Sequence, residues 1–154
     1  MKRTIILTDK EQTKALGRLL AAHFVPGDVV LLSGDLGAGK TTLTSGIGQG
    51  LNVESEVISP TFNILRCYFK GRLPLYHIDA YRLEGQNIEI GLDEAIEGDG
   101  VCVIEWPQFI EPLLPDDPLC IEIYNRGENT REFVFSCPTD RYDWVNKLPL
   151  EDLR

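Results

Sequence analysis

Apolar positions along this chain keep two rhythms. Unbroken runs such as VVLLSG (29–34) and VCVIE (101–105) have the density of strands buried in a parallel sheet. Ala15, Leu16, Leu19, Leu20 and His23 recur instead at helical spacing. TIIL (4–7) predicts a short strand ahead of that helix. Thr8 with Glu11 has the spacing of a capping box that would open the helix, and VPGD (25–28) breaks it.

A glycine-rich segment leads from 29–34 into a second helix predicted from about Lys40 to Leu51. NILRCYF (63–69) and PLYHIDA (74–80), separated by KGR, read as a hairpin, and residues 86–97 read as helical. CIEIYN (120–125) pairs with REFVFSC (131–137), and a last helix is predicted over about Asp140 to Lys147 with a short tail after it. Helix and strand interleave early, whereas hairpins dominate later. The expected fold is therefore α/β, with parallel strands at the centre and antiparallel strands added. No Pro/Gly/Ser-rich linker divides the 154 residues, so a single domain, 1–154, is expected.

Composition changes this picture little. Apolar residues make up 43% and charged residues 25%, as in an ordinary globular protein. Charge excludes more, because 15 Lys and Arg against 24 Asp and Glu give a net −9 that repels a polyanion on average. Autonomous nucleic-acid binding is not expected. Cys67, Cys102, Cys120 and Cys137 form no C-x-x-C pair and are expected as reduced, buried thiols. The N-terminal apolar run of Ile5, Ile6 and Leu7 is too short for a signal-peptide core or a membrane span, so a cytoplasmic protein is expected.

The chemistry begins at GDLGAGKTT, which has the G-x-x-x-x-G-K-[ST] spacing between a predicted strand and a predicted helix. Gly34, Gly37 and Gly39 let the backbone wrap a phosphate. Successive N–H groups from about Asp35 through Leu36, Ala38, Lys40 and Thr41 would then point inward as an anion nest, with Thr42 just behind. Lys40 supplies charge to the β and γ phosphates, and the Thr41 hydroxyl is placed to coordinate Mg²⁺. A guanine reader would bring Asn-Lys-x-Asp. The nearest approach, NKLP at Asn146 to Pro149, has Pro in place of the carboxylate, so adenine is the default base.

Phosphoryl transfer is mainly positioning and electrostatics, so a strand-end acid should hold the metal or orient water. Two compete: Asp79 ends LYHID and Glu105 ends VCVIE. Either could instead mark only where its strand reaches solvent. Thr61 in SPTF either brings a hydroxyl towards the γ-phosphate as a switch-like segment or belongs to a turn entering a strand. Arg82 is either a phosphate or partner contact or a solvated surface charge. His77 reads as a strand residue that is packed or half exposed, and Trp106 reads as core.

GDLGAGKTT, SPTF, YHIDAYRL (76–83) and IEWP (104–107), in this order and at these intervals, resemble the TsaE family, also called YjeE. The likeness runs from the N-terminal strand to about Cys137. It implies the three-layer P-loop NTPase fold, an ATPase that is weak alone, and a cytoplasmic role in making threonylcarbamoyladenosine at position 37 of tRNA. In that family TsaE works with TsaB and TsaD, its hydrolysis is thought to reset their complex, and tRNA is reached only through them.

By position, Thr41 and Glu105 match the family's Mg²⁺-binding residues, Asp79 its other active-site acid, Lys40 its phosphate-loop lysine and Trp106 the tryptophan beside the acid. A residue between Glu11 and Thr13, and Arg131, would border the nucleotide. Gln108 departs from the glutamate that many members carry there. Two alternatives share the loop: a small-molecule kinase, which would be expected to bring an arginine-rich lid, and a nucleotide-sensing module with little turnover.

Overall fold

The computed structural model describes residues 1–35, 37–53, 56–60, 64–85 and 91–154. Leu36, Thr61 and the 86–90 part of the expected helix lie outside the described residues. The strands are β1 (Lys2–Leu7), β2 (Val29–Ser33), β3 (Leu65–Tyr68), β4 (Leu75–Asp79), β5 (Val101–Glu105), β6 (Leu119–Asn125) and β7 (Arg131–Ser136). The helices are α1 (Lys10–Ala21), α2 (Lys40–Gly50) and the short α3 (Leu92–Ile96). Turns of 3₁₀ helix cover Tyr81–Leu83, Pro107–Leu113, Asp143–Lys147 and Leu150–Leu153.

Among the described residues one sheet runs in the order β1-β7-β6-β2-β5-β4-β3. Strands β6, β2, β5 and β4 are mutually parallel, while β1–β7, β7–β6 and β3–β4 pair antiparallel. This is the expected parallel centre with antiparallel flanks. The burial pattern of β2 and β5 explains their central place: Val29–Leu32 and all of Val101–Glu105 are buried. Such strands need a layer on each face. On one face Leu16, Leu20, Leu43, Ile47 and the C-terminal turns cover the sheet; on the other, Leu92, Ala95, Ile96 and Ile110 do.

Helices α1 and α2 touch backbone to backbone. A Cβ on Gly17 would lie 2.5 Å from the Leu43 carbonyl oxygen and 2.6 Å from the Ile47 nitrogen, and one on Gly46 would run into the backbone of Lys14. This contact seats α2, whose first turn carries Lys40 and Thr41, directly on α1.

Two local expectations need correcting. The cap of α1 is Asp9, one residue later than Thr8, and its Oδ1 accepts from the Gln12 N–H at 2.8 Å. Gln12 Oε1 reaches back to the Thr8 N–H at 2.7 Å. Leu7 still pairs with Arg131 in the sheet, so the chain turns only after Thr8, and a carboxylate at the cap also suits the helix dipole. At the C-terminus, the predicted α-helix and free tail are 3₁₀ turns. Tyr142, Val145 and Leu148 are spaced by three, a stripe that lies straight along a helix with three residues per turn, and all are buried. Leu150 is fully buried as well, and Arg3 donates to the Val145 and Leu148 carbonyls at 2.7 Å each.

The thiols also divide differently from expectation. Cys102 and Cys137 are buried and all four are free, but Cys67 is exposed on the edge strand β3, and Cys120, on the interior strand β6, is half-buried.

Asp28, just ahead of β2, ties this C-terminal layer to the centre of the sheet. It is 2% exposed, accepts from the Val25 N–H at 2.8 Å, and is paired by Arg141 at 3.0 Å. Arg141 is one-third exposed, which moderates the pair. Asp28→Ala should therefore cost about 2 kcal/mol of stability, read as a lower urea midpoint. An unchanged midpoint would mean these bonds give no net stabilisation.

Candidate functional site

Lys40, Thr41, Asp79 and Glu105 gather at the carboxyl ends of the parallel strands. In the sheet register Glu105 lies beside Leu32 of β2 on one side and Asp79 of β4 on the other. The loop leaving β2 therefore rises next to both acids, a common place for ligands in open α/β sheets.

A cleft of about 280 Å³ opens there. Gly37, Gly39, Lys40, Thr41 and Thr42 form its floor, and Asp79, Glu105 and Trp106 form one wall. Asp9, Lys10 and Thr13 from the start of α1 line it as well, together with Asn129 and Arg131 from the β6–β7 hairpin. The pairing of Leu7 with Arg131 brings these last two groups together.

The loop enters α2 through Gly37 (φ 78°) and Gly39 (φ 111°), left-handed positions that a side chain would strain. Nothing lies within 4 Å of where a Cβ would project from either glycine, so both border open space. Gly39 is the N-cap of α2 and has no side-chain cap. The N–H groups of the first turn thus remain for an anion.

Lys40 is 6% exposed. Its Nζ donates to the Gly34 carbonyl at 2.8 Å, lies 3.9 Å from Glu105 Oε1 and stands 4.4 Å above the centre of the Trp106 ring. Glu105 is 4% exposed, and its other oxygen, Oε2, is 2.6 Å from His77 Nε2. Asp79, 6% exposed, accepts at Oδ1 from the Tyr81 N–H at 3.0 Å. Trp106 is half-buried: it packs against the core on one face of the sheet and also lines the cleft, stacked on Phe109 and edge-on to Tyr81.

Backbone strain gathers around the acids. Ile64 (φ 63°) accepts the Asp79 N–H at 2.7 Å, and Trp106 (φ 56°) follows Glu105 directly. Bulky residues held in the left-handed region cost on the order of 1 kcal/mol or more each, and such outliers cluster at functional sites.

Arg131 borders the cleft, but its guanidinium serves the loop. Nε and Nη2 donate to the Ala38 and Gly37 carbonyls at 3.1 and 3.3 Å, while Nη1 bonds the hairpin's own carbonyls. It braces the glycine-rich loop through two carbonyls. Asp35 is exposed and faces a neighbouring hollow with Glu122 and Arg126, Ala38 is buried under the loop, and Arg82 is exposed on its 3₁₀ turn.

The donors present fit a magnesium–triphosphate. Among the described residues no group of three or more His, Cys, Asp or Glu could hold an ion by itself. Asp9, one of three carboxylates lining the cleft, caps α1. Near the end of β2 the cleft offers the Thr41 hydroxyl with the Asp79 and Glu105 carboxylates. That is the sparse set Mg²⁺ uses when phosphate oxygens and waters complete its octahedron.

Sequence reasoning missed His77, Asp9, Lys10, Asn129 and Ser59, all but His77 of which line the cleft. Asp9 carried a signal as a helix-capping residue. His77 carried one too, since it shares a strand face with Asp79 two residues on.

A family model described as "Threonylcarbamoyl adenosine biosynthesis protein TsaE" matches residues 7–133. The chain belongs to the TsaE family. It is 49% identical over 135 residues to the tRNA threonylcarbamoyladenosine biosynthesis protein TsaE of Bacillus subtilis, covering 88% of this chain and 85% of that one. It is 48% identical over 133 residues to the protein of the same name from Nostoc, covering 83% and 82% of the two chains. The crystal structure of Bacillus subtilis YdiB superposes with a TM-score of 0.81 at 39% identity, over 99% of this chain and 95% of that one. No helix among the described residues is long and apolar enough to cross a membrane.

Proposed function

We propose that this TsaE-family protein is a magnesium-dependent ATPase that serves the formation of threonylcarbamoyladenosine in tRNA. The observation that carries this reading is the convergence of Lys40, Thr41, Asp79 and Glu105 on one cleft at the carboxyl edge of the sheet.

In this reading the free N–H groups at the start of α2 and the Lys40 ammonium hold the phosphates, and the Thr41 hydroxyl with the Glu105 carboxylate holds Mg²⁺. The bound ion supplies charge neutralisation on the phosphate oxygens. Asp79, beside Glu105 at the cleft, would orient the attacking water. The base is adenine, since the chain brings no guanine-reading carboxylate.

The net charge of −9 argues that contact with tRNA is made through basic or preassembled partners. The family resemblance names these as TsaB and TsaD, whose complex hydrolysis would reset in the cytoplasm. ADP release measured alone, with candidate small acceptors, and with TsaB and TsaD should be slow alone and rise with the two proteins. A rise that needs a small acceptor and ignores both proteins would make the protein a kinase. No release under any condition would leave a nucleotide sensor. Thr41→Ala and Glu105→Gln should each slow the magnesium-dependent rate by about tenfold or more, roughly 1.4 kcal/mol of barrier. Unchanged rates in both would remove these residues from the metal site.

A further inference from the structure

We propose that His77 is the positioning residue of the acidic site. It holds one oxygen of Glu105 so that the other faces the cleft and stays clear of a close ion pair with Lys40. The inference rests on the ATPase reading above and adds a residue to it.

Leu75, His77 and Asp79 alternate onto one face of β4, as Val101, Val103 and Glu105 do on β5. His77 is opposite Val103 and Asp79 is opposite Glu105, so the imidazole reaches Glu105 across a diagonal between neighbouring strands. The ring is fully buried, and the Nε2–Oε2 distance is 2.6 Å. A carboxylate oxygen accepts, so the Nε2–H donates.

The other ring nitrogen, Nδ1, is buried and has no hydrogen-bond partner among the described residues. A histidine kept to satisfy the interior would use both nitrogens, and one kept for bulk alone would be matched by the aliphatic residues around it. All of the polar work of His77 goes to Glu105.

That work has a physical purpose. The last torsion of a glutamate is broad and nearly two-fold, so an unrestrained Glu105 carboxylate could turn within the cleft. Its nearest cation is Lys40, and in the interior two opposite charges attract strongly. Yet the Lys40 Nζ to Glu105 Oε1 separation is 3.9 Å, whereas His77 holds Oε2 at 2.6 Å. Tethering by His77 keeps the two charges apart, leaving the ammonium for phosphate and the carboxylate for the cation. Partners that orient a metal-binding carboxylate commonly change metal affinity or activity about 10- to 100-fold when removed.

The test compares His77→Gln, whose side-chain amide can reach the Nε2 position, with His77→Asn, whose amide stops one carbon short. Manganese is the probe, titrated by paramagnetic resonance into the full chain with and without ATP, beside ATP binding without metal. His77→Asn should weaken manganese in the presence of ATP by about tenfold while metal-free ATP affinity stays within about twofold. His77→Gln should remain within about threefold of the unmodified chain. Equal weakening in both variants, or manganese binding unchanged in His77→Asn, overturns the role of His77. If the unmodified chain binds no manganese with ATP, the ATPase reading itself fails, and that result is separate from either variant's.

Discussion

Replacing Lys40 by alanine should remove ATP turnover almost completely, with a fall of at least about 100-fold, or about 2.7 kcal/mol of barrier. Among the residues lining the cleft, the cations are Lys10, Lys40 and Arg131. Arg131 is committed to the carbonyls of the loop and hairpin, and Lys10 comes from the start of α1, outside the glycine-rich loop. Lys40 is thus the charge that can follow a phosphate.

It is also the cation beside Glu105, so its removal takes a counter-charge from a buried carboxylate. The ammonium rests on the Gly34 carbonyl and the Trp106 ring. On the ATPase reading a phosphate would have to win it from both, at a cost in net affinity. Release of ADP by the Lys40→Ala chain, with and without partners, checks the prediction. A rate within threefold of the unmodified protein would show that the backbone nest alone carries the chemistry.

The second large effect is expected far from any phosphate. Gly46→Ala ought to gain about 1 kcal/mol from helix propensity, yet the new methyl group would meet the Lys14 backbone, which cannot rotate away as a side chain could. Overpacking typically costs 1–3 kcal/mol and backbone contacts lie at the upper end or beyond, so a net loss of about 2 kcal/mol is expected. For a chain of this length that is a drop of roughly 4–8 °C in melting temperature. Nucleotide affinity should fall as well, because α2 pushed off α1 carries Lys40 and Thr41 with it. An unchanged melt together with unchanged ATP binding would mean that the helices separate without penalty.

Much of this arrangement was legible in the chain because its signals are local. VVLLSG and VCVIE announced buried parallel strands by density alone, and the loop announced itself by glycine spacing. Asp79 and Glu105 stood out as acids ending apolar runs, where the carboxyl edge of a sheet brings strand ends together.

What stayed hidden depends on register or on competition between neighbours. The His77–Glu105 contact spans 28 positions and exists only because β4 and β5 lie side by side with a given offset. Arg131, expected to border the nucleotide, does line the cleft, but its bonds to the Ala38 and Gly37 carbonyls follow only from the hairpin's position beside the loop. The C-terminal segment has the apolar spacing of a helix, but a strict repeat of three favours the tighter 3₁₀ form.

The sheet order has a consequence for the chain as it is made. Strand β2, which delivers the phosphate loop, is hydrogen-bonded on one side to β5 and on the other to β6. Both are synthesised long after it, ending at Asn125. While the ribosome works through the intervening segment, Val29–Leu32 is an apolar strand with two open edges, a shape prone to mispairing. The grip for the nucleotide is written early but becomes a grip only late. On the ATPase reading, a nascent chain would gain nothing from ATP until most of it has emerged.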